Sequence, residues 1–214
     1  MTASAAATEH AITLHAPAIV LNYGSAGSHV RDIFPGDIVI ATRVIACNTL
    51  QILASGEELF IDKQFRVDRE PNHRGGSIVE CERSMVALAQ SCAESWRSDP
   101  WPDRSPHGVT MEREPSVRLG PVISADMWVQ SPARIDTLHR RHQSLAADME
   151  AAAIAQVAYM HEVPFFSIKD ISNNELYVNT AIQLGEITVP LESVGARSAS
   201  LMFEVLQRVA GQDS

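Results

Sequence analysis

The chain has 214 residues, 45% of them apolar and 20% charged, with a formal net charge of −9. Those proportions suit one soluble globular domain with a sizeable core. Lys and Arg are scattered, only Arg140 and Arg141 being adjacent, which excludes a nucleic-acid backbone as the main partner. No apolar run approaches the roughly 20 residues that span a bilayer, and Met1–His10 lacks the basic-then-apolar pattern of a secretory signal. A cytoplasmic protein with no membrane partner is therefore expected.

An Ala-rich segment over 3–15 predicts a helix, stopped by Pro17. Ala18–Asn22 is a short apolar run that reads as a buried strand, and Tyr23–Ser28 as a small-residue loop at its carboxyl end. Phe34-Pro35-Gly36 forms a turn, and Asp37–Ile45 is β-branched and apolar, a second strand. Residues 60–116 are the least organised: Pro71, Asn72 and Gly75-Gly76 precede a helix predicted over 79–96, with Trp96 and Trp101 at its end and Pro100, Pro102 and Pro106 beyond. Cys47, Cys81 and Cys92 are odd in number with no CxxC, and read as free thiols. His139 and His142 lack a third ligand nearby, so no metal is expected.

The second half is more regular. Val117–Ser124 reads as a strand, Pro132–Arg141 as a helix with proline in its first turn, and Ala146–Asp148 as a short strand. A helix follows over Met149–His161, a buried strand over Pro164–Ile171, and a last helix over Val194–Val209, with Met202, Val205, Leu206 and Val209 at helical spacing. Strands alternating with helices predict a largely parallel sheet covered on both faces.

Ligands of such sheets bind beyond the carboxyl ends of strands, where four segments fall: Asn22–Gly27, Ile123–Val129, Ala147–Ala151 and Lys169–Glu175. Gly24 and Gly27 permit close backbone approach or positive φ, or serve a plain turn. In Asp148-Met149-Glu150, a carboxylate between a strand and an Ala-rich helix is costly in a core unless something uses it. Two adjacent sugar hydroxyls can donate to the two oxygens of one carboxylate, while a helix N-terminus alone also favours acids. Ser172-x-x-Glu175 fits a capping box equally well, Lys169 and Asp170 fit a simple ion pair, and Trp128 fits either core packing or a base-stacking platform.

The ordered set Gly-Ser-Ala-Gly (24–27), Pro-Gly-Asp (35–37), Ile-Ser-Ala-Asp-Met-Trp-Val (123–129), Asp-Met-Glu-Ala-Ala-Ala-Ile-Ala (148–155) and Val-Pro-Phe-Phe-Ser-Ile-Lys-Asp-Ile-Ser (163–172) resembles the purine nucleoside phosphorylase and uridine phosphorylase superfamily. Within it, the chain is most similar to the methylthioadenosine/S-adenosylhomocysteine nucleosidases, over residues 5–45 and 117–210. The resemblance implies one α/β domain over 1–214, a three-layer, mixed, largely parallel sheet flanked by helices. It also implies a homodimer or higher homo-oligomer, no cofactor and no metal, and a purine nucleoside as small-molecule partner. Glu150 then matches the acid on the ribose 2′ and 3′ hydroxyls, and Met149 the methionine against sugar and base. Trp128 and Val129 match the base contacts, Ser25, Ala26 and Gly27 the loop bordering water or phosphate, and Ser172 and Asn173 the segment reaching purine N7. The implied activity is hydrolysis of the N-glycosidic bond, in purine and methionine salvage, with Asn173 and Ser25 as catalytic residues. A non-catalytic nucleoside-binding protein and a phosphate-dependent phosphorylase are the alternatives.

Two departures stand out. Asn173 occupies the place of an aspartic acid that donates to N7, and an amide donates a hydrogen bond but not a proton, a loss of ~10²–10⁴-fold where general acid catalysis matters. The family's opening strand and the glutamate after it, which activates water, have no counterpart before Ala18: either this sequence lacks its true start, or the protein has lost those strands and that base, and a sheet without them is expected to expose an edge. Asp170 stands at an odd offset from Asn173, on the opposite strand face by alternation. Asn22 stands where phosphorylases carry a phosphate-binding arginine, which favours water as acceptor. His29, just after the glycine loop, is either solvated or turned into a pocket.

Overall fold

The computed structural model describes residues 1–62, 64–66, 74–98, 115–176 and 195–212. Trp101, the proline-rich stretch around it, Pro71, Asn72 and Val194 lie outside the described residues. In chain order the elements are α1 (Thr2–His15), β1 (Val20–Ser28), β2 (Ile38–Ala46), a hairpin of β3 (Leu50–Ile52) and β4 (Glu58–Phe60), and the short pair β5 (Phe65–Arg66) and β6 (Arg74–Gly75). There follow β7 (Ile78–Glu80), α2 (Arg83–Ser95), β8 (Val117–Ser124), α3 (Pro132–His142), β9 (Ala146–Asp148), α4 (Ala151–Met160), β10 (Phe165–Asn173) and α5 (Ala196–Gln212).

The sheet runs β10-β1-β9-β8-β2-β7, and a further β10–β2 pairing closes it on itself. β1 with β10, β2 with β8 and β8 with β9 are parallel; β1 with β9, β2 with β10 and β2 with β7 are antiparallel. On one side of β2, Ile38–Ile40 face β10 and Arg43–Ile45 face β7, so β7 takes over where β10 leaves. The ring explains why β2 is buried almost throughout.

Helices flank this sheet. α4 lies against β1, β2, β7, β8 and β10 and is backed by α1; α5 lies against β1 and β10, and packs on α2. Alanine suits α4 twice over, as the best helix former and as a side chain small enough to let the axis sit close to the strands; Ala151, Ala152, Ala153, Ala155 and Ala158 are all buried. α1 ends at Ala16, which adopts the left-handed conformation (φ 43°) just before Pro17. At α3, Ser131 caps and Pro132 occupies the first turn.

Four expectations are corrected. Residues 23–28 are not a loop but the second half of β1, because their backbone finds β10 on one side and β9 on the other. Their small size lets α5 begin close by: a Cβ on Gly195 (φ +93°) would lie 3.5 Å from Gly24 Cα. The helix expected over 79–96 begins only at Arg83; Ile78–Glu80 instead extend the sheet beside β2, and Glu82 caps α2 by accepting from Ser84 N. On α5, Leu201, Met202 and Val205 are buried, whereas Leu206 and Val209 are exposed, so the apolar stripe faces slightly away from the expected one. Finally, Lys169 does not pair with Asp170, since neighbours on a strand point to opposite faces. Its partner is Asp148, at 2.7 Å.

Candidate active site

The carboxyl ends of β1, β8, β9 and β10 surround a cleft of about 260 Å³. All nine residues singled out in the sequence line it: Ser25, Ala26, Gly27, Trp128, Val129, Met149, Glu150, Ser172 and Asn173. Glu175, Met127, His29, Cys47, Ile123, Ile135 and Leu138 join them.

Asp148 and Glu150 divide two tasks. Asp148 is buried: Oδ2 meets Lys169 Nζ and accepts from Ala151 N at 3.0 Å, and Oδ1 accepts from Ser124 Oγ. Ser124 Oγ in turn accepts from Ala152 N at 2.9 Å. The first amides of α4 are thus satisfied by Asp148 and Ser124, as helix starts require. Glu150 is therefore not needed as a cap; it is exposed, and its Oε2 accepts only from Met149 N at 3.2 Å among the described residues. Beside it, the Met149 side chain is 40% exposed on the cleft.

On the facing wall, β10 carries a bulge. Ala26 opposes Ile171 but Gly27 opposes Asn173, leaving Ser172 unpaired. Strict alternation therefore does not hold between Asp170 and Asn173. Asp170 nevertheless stays out of the cleft lining: it is buried beneath the start of α5, where Oδ2 accepts from Arg197 N at 3.2 Å. Burial foremost pushes its carboxyl up to about 6 against the pull of Arg197.

The Ser172–Glu175 segment is not a capping box among the described residues. Ser172 Oγ lies 2.7 Å from Asn173 Oδ1 and 3.3 Å from the Ala26 carbonyl. Asn173 Nδ2 donates to Glu175 Oε1 at 2.9 Å, and Trp128 Nε1 donates to the same oxygen at 3.3 Å. Asn174 points inward, its Nδ2 donating to the carbonyls of Val30 and Ile33, each at 2.8 Å. Gly27 gives Asn173 its room: a Cβ there would meet Asn173 Nδ2 at 3.2 Å. Trp128 is not core but 57% exposed, in the segment after β8.

His29 is buried rather than solvated, its Nδ1 2.9 Å from Ser144 Oγ. Burial, with His139 and His142 nearby, pushes its imidazole down to about 4, so it faces the cleft neutral near pH 7. Cys47 is one of three buried free cysteines, and burial pushes its thiol up to about 11, so it lines the cleft as an apolar group rather than a nucleophile. Among the described residues, no group of three His, Cys, Asp or Glu is placed to hold a metal ion. No described helix is long and apolar enough to cross a membrane.

With this fold and cleft in view, comparison with known proteins places the chain. The sequence model of the Phosphorylase superfamily matches residues 1–206, and the chain belongs to that family. It is 25% identical over 211 residues to a 5′-methylthioadenosine/S-adenosylhomocysteine nucleosidase of Aeromonas salmonicida, covering 97% of this chain and 77% of the relative. It is 28% identical over 158 residues to the nucleosidase of the same description from Bacillus thuringiensis, covering 73% of this chain and 57% of that protein. Among solved structures, an Asp-to-Asn mutant of the Helicobacter pylori nucleosidase with 5′-methylthioadenosine in the active site superposes with a TM-score of 0.69 at 23% identity, covering 96% of this chain and 75% of that one.

Glu175 is the main residue the sequence reading passed over. Its capping-box spacing gave it a local explanation, and only the course of β10 past its bulge turns it to the cleft.

Proposed function

We propose that the cleft hydrolyses the N-glycosidic bond of a purine nucleoside of the methylthioadenosine/S-adenosylhomocysteine type. The observation that carries this reading is Glu150: an exposed carboxylate, held by one backbone amide, facing the Trp128–Asn173 wall across one cleft. Its two oxygens accept from the ribose 2′ and 3′ hydroxyls, and its charge steadies the oxocarbenium-like centre as the bond to the base breaks. Met149 covers the sugar, Trp128 and Val129 border the base, and Asn173 donates to N7. The departing base takes its proton from solvent, and water held near Ser25 adds at C1′.

Water rather than phosphate is the acceptor. The described residues lining the cleft include no Lys or Arg. Asn22, at the position of a phosphate-binding arginine, has its Oδ1 occupied by Ser167 Oγ at 2.9 Å. The family match supports reading the chain as one nucleoside phosphorylase-like domain. Its buried thiols and acidic balance support a cytoplasmic setting, and exposed apolar residues such as Phe203 support a homo-oligomer.

The test is chromatographic assay of free base from methylthioadenosine, S-adenosylhomocysteine, adenosine and inosine, with and without phosphate. Base release without phosphate is expected, and Glu150→Ala should lower riboside affinity by roughly a hundredfold, the worth of charge-assisted hydrogen bonds. Strict phosphate dependence would make the protein a phosphorylase. A second reading, a nucleoside-binding protein without turnover, is favoured by the amide at 173; calorimetric binding with no release would establish it.

A further inference from the structure

Glu175 is 4% exposed and lines the cleft. One of its oxygens, Oε1, accepts from both Asn173 Nδ2 and Trp128 Nε1, the two residues assigned above to the base. A buried carboxylate is costly unless hydrogen bonds compensate it, so this arrangement is strongly directional. Asn173 is held from two sides, with Ser172 Oγ donating to Oδ1 and Glu175 accepting from Nδ2. An amide's oxygen and nitrogen are nearly alike in shape, and such a pair of neighbours decides which lies where. One Nδ2 hydrogen is committed to Glu175, and the other remains for a ligand.

We propose that Glu175 is a positioning residue of the base subsite: it orients the Asn173 amide as a donor toward the base, and anchors the edge of Trp128 so that its ring borders the same base. It also accounts for the amide at 173. An aspartate there would stand within hydrogen-bond distance of the Glu175 carboxylate, and two such groups retain one proton between them well above the usual carboxylate range. This inference rests on the nucleoside reading of the cleft, and deepens it by naming what sets the base contacts.

The experiment measures calorimetric affinity for adenine and hypoxanthine, and urea stability, from pH 5 to 8. The proteins are the wild type, Glu175→Ala, Glu175→Gln, Asn173→Asp and the double variant Asn173→Asp/Glu175→Gln. Glu175→Ala should weaken base binding by roughly tenfold or more. Glu175→Gln, whose amide oxygen still accepts from both donors, should bind within about threefold of wild type, less than the loss of one neutral hydrogen bond. Asn173→Asp should gain a pH dependence of affinity and stability that the double variant loses. His29, Cys47, Asp148 and Glu150 also line the cleft, but they are common to both backgrounds, so the difference isolates the pair. Wild-type affinity in Glu175→Ala, or a pH dependence of Asn173→Asp that survives Glu175→Gln, would overturn the proposal while leaving the nucleoside reading intact. A wild type that binds neither base nor any of the ribosides named above would end both.

Discussion

Lys169 and Asp148 meet with side chains only 2% and 1% exposed, and Asp148 also takes a backbone amide of α4 and the Ser124 hydroxyl. Removing one member of a buried pair leaves an uncompensated charge, which typically costs about 3–5 kcal/mol. Lys169→Met is therefore expected to lower unfolding free energy by about that amount in urea titrations. The double change Lys169→Met/Asp148→Asn should recover part of it, because the asparagine oxygen still accepts from Ala151 N. The same pair commits Asp148 to Lys169 and leaves Glu150 as the exposed acid at the start of α4. The two carboxylates sit two residues apart in the sequence, and nothing in Asp-Met-Glu says which is structural; the answer lies in Lys169, on another strand.

Among the elements, the meeting of β1 and β10 shapes the cleft floor. Gly27→Ala places a Cβ about 3.2 Å from Asn173 Nδ2, close enough that the amide must move. Unfolding free energy should fall by about 1 kcal/mol or less, whereas affinity for the free base should drop several-fold; calorimetry beside urea titration separates the two, and an unchanged affinity would count against a role for Asn173. This strand is also where the sequence reads least well. Gly24, Ser25, Gly27 and Ser28 carry the composition of a loop, yet they form ladder pairs with partners far along the chain. Pattern-rich elements such as α1, α3, β8 and the Ala-rich α4 were legible within a few residues, because their caps, prolines and apolar runs are local. Trp128, Val129, Met149 and Glu150 could be placed because they sit beside β8 and α4, whereas Ser25, Ala26, Gly27, Ser172 and Asn173, inside β1 and β10, were placed by the family resemblance of their segments. Glu175 was hidden by its capping-box spacing, and the bulge at Ser172 and the hairpin of β3 and β4 were not legible, since no local pattern marks them.

At the scale of the molecule, two buried groups oppose each other in acid. His29 is held down to about 4 from an ordinary 6.5, so as pH falls through that window the unfolded chain takes up a proton that the fold refuses, and stability is lost. Asp170 is pushed up to about 6 from an ordinary 3.8, so as pH rises through that window the unfolded chain releases a proton that the fold retains, and stability is again lost. Each effect is about 3 kcal/mol, of opposite sign over nearly the same range. The wild type should therefore show a flat contribution from this pair between pH 4 and 6. His29→Gln should become less stable as pH rises across it, and Asp170→Asn more stable. Parallel urea titrations across that range check both, and identical curves for the three proteins would refute the pairing.

The junction of β1 and β10 brings together positions such as Asn22 and Ser167, 145 residues apart, and the cleft takes walls from both strands. Closing a loop on that scale costs entropy before any contact repays it, and so slows folding. A cleft ligand binds the joined strands and not either one alone, so its effect on the two folding rates reports when the junction closes. If the junction closes after the main barrier, the ligand should lengthen the lifetime of the native state by slowing unfolding, yet leave the rate of refolding unchanged.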